Sequence, residues 1–420
     1  MRRRGDHVKR ALLIVIDGAA DRALKTLNGK TPLEVAYKPN IDQLATNGVT
    51  GIMDPIAPGV SVGSDTAHLA LLGYDPFKTY TGRGAFEALG AGIKLQPGEV
   101  AFRTNFATVD EEMRVIDRRA GRYIEEAKEF EKLINSISLK TSNVKVLFRH
   151  TVEHRGVLIL RGEGLSRFVS DTDPHKIGMR VLESKPLIDS PEAKRTANIV
   201  NEFTREVYKL LKDHPLNKSR VKRGLPPANI LLVRGAGVLP NVKPLSERFK
   251  VKCACIAGIA LVKGVAKAVG MDIIDVPGAT GGLDTDVLAK VKYAIKALED
   301  YDFVFIHYKG TDAASHDGNV WAKVKIIEKI DSAIGYLIDR VNLDETYIII
   351  TADHATLTEE TRNHSGDFVP ILIHGPGVIP DDVRVFCERA CLKGGLGRIR
   401  GLDLMNIIMN YLDKVEKFGE

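Results

Sequence analysis

The sequence predicts an α/β protein: a mostly parallel sheet with helices on both faces, plus an inserted smaller α+β cap domain. Three observations carry this expectation. Apolar runs at residues 12–16, 303–306 and 347–350 lack the alternation of a half-exposed strand, as strands covered on both faces do. Each of these runs is soon followed by an aspartate, Asp17, Asp312 or Asp353, which points to one shared rim. Finally, 420 residues exceed one typical core, so a large domain carrying an insertion is expected.

The elements follow in order. Leu12-Leu13-Ile14-Val15-Ile16 is a first buried strand, ending at Asp17-Gly18. Thr31-Pro32-Leu33-Glu34 has the form of a capping box with proline at the first helical position. A helix over 41–46 stops at Asn47-Gly48, and a strand follows over 49–53. Residues 101–109 alternate as a strand does. Ala127, Phe130, Leu133, Ile134 and Ile137 recur at helical spacing. Runs at 144–152 and 157–160 flank His154-Arg155-Gly156, which predicts a hairpin. Ala193, Ala197, Val200, Phe203, Val207, Leu210 and Leu211 mark a long amphipathic helix. The order β, α, β, β, α defines a cap over residues 103–220, with hinges near 101–105 and 220–227. After Asn229 strands alternate with helices again, at 230–233, 303–306, 347–350 and 371–373. The core domain is thus expected over 1–102 and 221–420.

No run of 18 apolar residues occurs, so no membrane-spanning helix is expected. The basic start, Met1-Arg2-Arg3-Arg4, lacks a following apolar segment and reads as a solvated tail, which leaves a cytoplasmic location. A net charge of +6 suits a small anionic substrate. One tryptophan and no basic stripe interleaved with aromatics argue against a nucleic-acid partner. Cys253 and Cys255 alternate along an apolar run. With Cys387 and Cys391 they lack a zinc-site spacing and read as buried thiols.

The chemistry concentrates in a few phrases. Asp312 and His316 share a helical face at i, i+4. Asp353 and His354 are adjacent at a strand end, and His364 follows ten residues later. Each alone reads as an ordinary cap or loop residue, but five together at strand ends predict a catalytic metal site. Aspartate and histidine suit Zn²⁺ or Mn²⁺, and the share of carboxylates shifts the balance toward Mn²⁺ or Mg²⁺. Ser64 follows a small-residue turn and opens an apolar helix, where free amides favour an oxyanion. Beside a metal it becomes a candidate nucleophile. Asp171, Asp173 and His175 form a polar segment within the cap, among Arg103, Arg114, Arg118, Arg119, Arg122 and Arg149, and arginine suits the grip of an anion. The glycine-rich phrases around Arg83, Arg234 and Thr280 have neither nucleotide-binding spacing.

Asp17-Gly18, Gly63-Ser64-Asp65-Thr66-Ala67-His68, His307-Tyr308-Lys309-Gly310-Thr311-Asp312 through His316, Thr351-Ala352-Asp353-His354 and His364 before Val369-Pro370 together resemble the alkaline phosphatase superfamily. Within it they resemble the archaeal type of cofactor-independent phosphoglycerate mutases. The resemblance implies an alkaline-phosphatase-like core and two divalent metal ions, Mn²⁺ foremost and Co²⁺, Zn²⁺ or Mg²⁺ otherwise. It implies one ion on Asp312, His316 and His364, and a second on Asp17, Ser64, Asp353 and His354. Ser64 would carry the phosphoryl group between 3- and 2-phosphoglycerate. Asp171, Asp173, His175, Arg103, Arg234 and Lys309 would bind substrate, with Asp173 as acid/base, and the cap would exclude water. A homo-oligomer is compatible with this reading. Another phosphoesterase or a phosphopentomutase on the same core, and a non-catalytic metal-binding relative, are the alternatives. A sulfatase is not, because the chain lacks the C/S-x-P-x-R phrase.

Overall fold

The computed structural model describes residues 9–140, 143–417 and 419; the basic start Met1-Arg2-Arg3-Arg4 lies outside the described residues. Its strands, in chain order, are β1 (Arg10–Ile16), β2 (Val49–Asp54), β3 (Val100–Val109), β4 (Val115–Asp117) and β5 (Lys145–His150). They continue with β6 (Arg155–Arg161), β7 (Ile230–Gly237), β8 (Cys253–Ile256), β9 (Asp272–Ile273) and β10 (Phe303–Tyr308). The last are β11 (Thr346–Thr351), β12 (Ala355–Thr356), β13 (His364–Ser365), β14 (Val369–His374) and β15 (Gly397–Arg400).

The chain divides into two compact units, residues up to Tyr80 together with those from Val242, and Thr81–Asn241. These divisions fall outside the expected 102/103 and 220/221. Residues 101–105 are the middle of β3, which pairs with β6 on one side and β7 on the other. A strand bonded along both edges belongs with its partners, so the second unit takes in β7 and the helix Arg83–Gly90 as well.

The first unit holds an eight-stranded sheet in the order β15-β2-β14-β11-β1-β10-β8-β9. All neighbours are parallel except at β14, which runs antiparallel to both β11 and β2. Every residue of β10 and β11 is buried. Since successive side chains point to opposite faces, both faces must be covered. The helices that cover them form two groups. Val320–Ile338 packs on Pro39–Thr46 and Val287–Ala297, while Ser64–Leu71 packs on Ala260–Ala268 and Gly401–Tyr411. Full burial of each Val, Leu, Ile or Phe here contributes about 1.5–3 kcal/mol relative to exposure, before entropy is counted. The local signals act as their chemistry requires. Thr31 Oγ1 accepts from the Glu34 amide and the Glu34 carboxylate accepts from the Thr31 amide. Asn47 caps Pro39–Thr46. Cys253 and Cys255 sit on β8, and all four cysteines are free and buried. No helix of the described residues is long and apolar enough to cross a membrane.

The second unit is an antiparallel sheet. β3 pairs with β4, β6 and β7, and β6 pairs with β5. The turn between β5 and β6 occupies 151–154 rather than 154–156. Glu153 takes the left-handed conformation there (φ 56°), and Arg155 and Gly156 join the strand. One face of β3 sends Phe102 and Phe106 against Phe130, Phe148 and Phe203, under the helices Ala127–Asn135 and Pro191–Leu211. The alternate residues face the other way, where Ala101 meets Ala85 and Ala88 of Arg83–Gly90. Arg103 shares that second face.

Candidate active site and metal centre

Strand register builds the site. β1 lies between β10 and β11, with Val15 opposite both His307 and Thr351. Their carboxyl ends are therefore level, and Asp17, Lys309 and Asp353 emerge along one rim. The helix Gly310–His316 starts directly after β10 and carries Asp312 and His316 on one face. Ser64 is the first residue of Ser64–Leu71, after the extended Gly63.

Asp17, Asp312, Asp353 and His354 are all buried. Asp17 Oδ2 accepts from His307 Nε2 at 2.8 Å and Lys309 Nζ at 3.1 Å, and Ser64 Oγ stands 3.5 Å away. Ser64 Oγ is also 3.4 Å from His354 Nε2. Asp353 Oδ1 accepts from the Gly18 and His354 amides. Asp312 Oδ2 accepts from Lys309 Nζ at 2.5 Å, and its Oδ1 accepts from Thr356 Oγ1 at 2.8 Å. His316 Nε2 and His364 Nε2 face that same Oδ1 at 3.4 and 3.3 Å. The structure thus brings Asp17, Ser64, Lys309, Asp312, His316, Asp353, His354 and His364 together.

Burial foremost, and Asp312, push the Asp17 carboxyl up, but the Lys309 ammonium, His307 and His354 together outweigh them. Asp17 stays below the ordinary carboxylate range. Asp312 is likewise held low against its burial by His316, His364 and Lys309. Burial pushes Lys309 down, but Asp17 and Asp312 together lift it above its usual value, so it remains an ammonium.

The donor set fits divalent cations on two observations. First, His316 Nδ1 meets the Arg362 carbonyl at 2.7 Å and His364 Nδ1 meets the Val62 carbonyl at 2.7 Å. A carbonyl only accepts, so both rings carry hydrogen on Nδ1. Each Nε2 is then the ring nitrogen left for Asp312 Oδ1. Protonated, it donates to that oxygen; neutral, it offers a lone pair beside it, the donor set that a divalent cation takes. Second, Asp17 Oδ1 and Asp353 Oδ2 are buried without a hydrogen bond among the described residues. They lie 3.4 and 3.2 Å from His354 Nε2. Two overlapping groups have metal-ligand spacing here, Asp312–His354–His364 and Asp17–Asp353–His354, and His68–His307–Asp353 forms a third beside them.

Sequence reasoning gave no role to His307, His68 or Thr356. His307 alternates with Phe305 on β10, a pattern that reads as strand packing, and only the register with β1 sets it against Asp17.

Gly18 shows how tightly this rim is built. Its φ is +66°, and a Cβ there would lie 2.5 Å from Thr356 Oγ1 and 2.9 Å from Asp312 Cβ. Gly18→Ala is expected to cost about 1–3 kcal/mol from overpacking and roughly 1 more from the left-handed backbone. Urea unfolding reads this directly; an unshifted midpoint would refute it.

The second unit has its own polar cluster. Asp173 is buried and accepts from Arg118 Nε (3.2 Å), Arg118 Nη2 (2.7 Å) and the His175 amide (2.8 Å), with Arg234 Nη1 at 3.7 Å. Despite burial, Arg118 and the His175 amide hold its carboxyl low. Asp171 accepts from the Gly235 amide at 2.8 Å, and its Oδ2 is 3.5 Å from His175 Nε2. Thr172 is fastened to Val233 of β7. Arg103 and Arg234 are direct cross-strand partners of β3 and β7. Burial first, and Arg83 next, push the Arg103 guanidinium down to about 9. Like charges opposed across strands are unfavourable unless an anion joins them.

Comparison with known proteins identifies the family. Residues 45–217 match the family model described as 2,3-bisphosphoglycerate-independent phosphoglycerate mutase. The protein of that name from Ignicoccus hospitalis is 54% identical over 412 residues, 97% of this chain and 98% of its own length. That of Methanocaldococcus jannaschii, numbered 1 in its name, is 49% identical over 98% of this chain and 99% of its own. A solved Pyrococcus horikoshii protein superposes with a TM-score of 0.86 at 43% identity, covering 98% of this chain and 99% of that one. The cofactor-independent phosphoglycerate mutase of Thermoplasma acidophilum superposes with a TM-score of 0.71 at 37% identity, covering 96% of this chain and 100% of that one. With relatedness of this depth along nearly the whole chain, this enzyme belongs to the 2,3-bisphosphoglycerate-independent phosphoglycerate mutases.

Proposed function

We propose that the chain interconverts 3-phosphoglycerate and 2-phosphoglycerate through a phosphoserine on Ser64, with two divalent cations and without 2,3-bisphosphoglycerate. The observation that carries this is the placement of Ser64 Oγ, 3.4 Å from His354 Nε2 and 3.5 Å from Asp17 Oδ2, beside carboxylate oxygens left without partners. Asp312, His316 and His364 are assigned to one cation, and Asp17, Ser64, Asp353 and His354 to the other. Mn²⁺ is the proposed metal, since carboxylate and imidazole ligands are mixed. When bound, such ions supply the positive charge that lowers the hydroxyl pKa of Ser64 and screens the phosphoryl oxygens.

Ser64 Oγ bonds to phosphorus as the bond to the glycerate oxygen breaks, and the proton that Ser64 gives up is matched by the one the departing glycerate oxygen takes. The other glycerate hydroxyl then attacks the phosphoserine, restoring Ser64. Lys309, kept charged by Asp17 and Asp312, offers a fixed cation to the phosphoryl oxygens. Arg103, Arg118 and Arg234 are assigned to the carboxylate of glycerate, with Asp171 and His175 flanking them. Asp173, beside Arg118, is assigned as the acid/base group that protonates the departing glycerate oxygen and takes the proton back from the attacking hydroxyl. The buried free thiols suit the reducing cytoplasm we propose for this enzyme.

A coupled enolase assay tests the proposal, using metal-depleted protein, 3-phosphoglycerate and Mn²⁺ added back. Metal-dependent formation of 2-phosphoglycerate is expected. Release of inorganic phosphate in its place would make the enzyme a hydrolase. Arg234→Met is expected to raise KM about tenfold or more, as loss of a charge-assisted hydrogen bond does. An unchanged KM in steady-state kinetics would remove Arg234 from the substrate set.

A further inference from the structure

We propose that the Thr356 hydroxyl is a positioning group that ties the two metal-binding sets together, donating to Asp312 in one and accepting from His354 in the other. This inference rests on the two-cation reading above. Thr356 Oγ1 lies 2.8 Å from Asp312 Oδ1 and 3.1 Å from His354 Nδ1. A threonine hydroxyl has one proton to give, and an ionised carboxylate can only accept. The hydroxyl proton therefore goes to Asp312, and the bond to His354 requires the hydrogen on Nδ1. His354 is left with a free Nε2 lone pair, the atom that faces Asp17, Asp353 and Ser64. One side chain thus aims a carboxylate of the first set and selects the ring tautomer in the second.

Thr356 is held independently of the ligands it serves. Its amide donates to the Ala20 carbonyl at 3.1 Å. Its carbonyl accepts from the buried Lys323 ammonium at 3.0 Å, which also reaches Asp21 Oδ2 at 3.0 Å. Across the β12–β13 pair Thr356 stands directly opposite His364, a further member of the first set. The missing side chain of Gly18 provides the room for Oγ1. No other side chain is hydrogen-bonded to His354 Nδ1 among the described residues.

Calorimetric titration of metal-free protein with Mn²⁺ tests this. The wild type is expected to take two ions per chain. Thr356→Val, which keeps the shape and removes the hydroxyl, is expected to bind both about 10- to 100-fold more weakly. Thr356→Ser is expected to recover most of that loss. Wild-type affinity at both sites in Thr356→Val, or a serine variant as weak as the valine one, would overturn the inference. Fewer than two ions in the wild type would instead overturn the two-cation reading beneath it. Should Thr356→Val not fold, ¹⁵N-histidine NMR of the Zn²⁺-loaded wild type decides. Hydrogen on Nδ1 of His354 and metal on Nε2 are expected; the reverse pattern would refute the assignment.

Discussion

Ser64→Ala is expected to abolish mutase turnover, by on the order of 10⁴-fold or more, because the variant has no atom left to accept the phosphoryl group. The fold should tolerate the change. Ser64 Oγ makes only long contacts, at 3.4 and 3.5 Å, and its helix is capped from Gly63 without a side-chain bond. Loss of the hydroxyl should therefore cost about 1 kcal/mol or less. Circular dichroism and Mn²⁺ binding would establish that the scaffold and most of the metal affinity survive. The informative pair of measurements is the enolase-coupled rate and phosphorylation of the protein on exposure to 3-phosphoglycerate. Both should vanish together. Persistent interconversion in Ser64→Ala would mean that the phosphoryl group never rests on this residue.

Asp312→Asn is expected to lose one metal equivalent and at least about 100-fold in activity. Asp312 is the hub of its half of the site. Lys309 and Thr356 donate to it, and His316 and His364 converge on one of its oxygens. Asparagine preserves the outline but removes the charge that holds these groups. It also turns one oxygen into a donor that must face either an ammonium or two imidazoles. Elemental analysis should fall from two ions toward one per chain. Two ions retained at wild-type affinity would show that Asp312 is not a ligand.

Much of the first unit could be read from sequence because its information is local. An unbroken apolar run followed by Asp is enough to place Asp17 and Asp353 at strand ends, and the capping box at Thr31 announces its own helix. Other features depend on pairings between distant segments. The reversal of β14 is invisible in Val369–His374 itself, since an apolar strand reads alike in either direction. The division at Tyr80 and Asn241 follows from β3 pairing with β7 more than 120 residues later, a relation that no local composition shift marks. His307 and Thr356 escaped for the same reason. Each looks like strand filler until the partner strand is beside it. The cluster around Asp173 stands between these cases: its residue types could be named, but not that Arg118 would take both carboxylate oxygens.

Both margins of the eight-stranded sheet are blunt. β15 is four residues long and carries Arg398, clasped to Asp54, and Arg400, clasped to Asp403; β9 is only two residues long. A foreign strand adding to either edge would find few free amides, and at β15 it would also have to displace guanidinium groups already engaged. An exceptionally apolar set of central strands is thereby kept from templating edge-to-edge aggregation, so a sheet whose middle is built for burial can be made at high concentration without recruiting its neighbours.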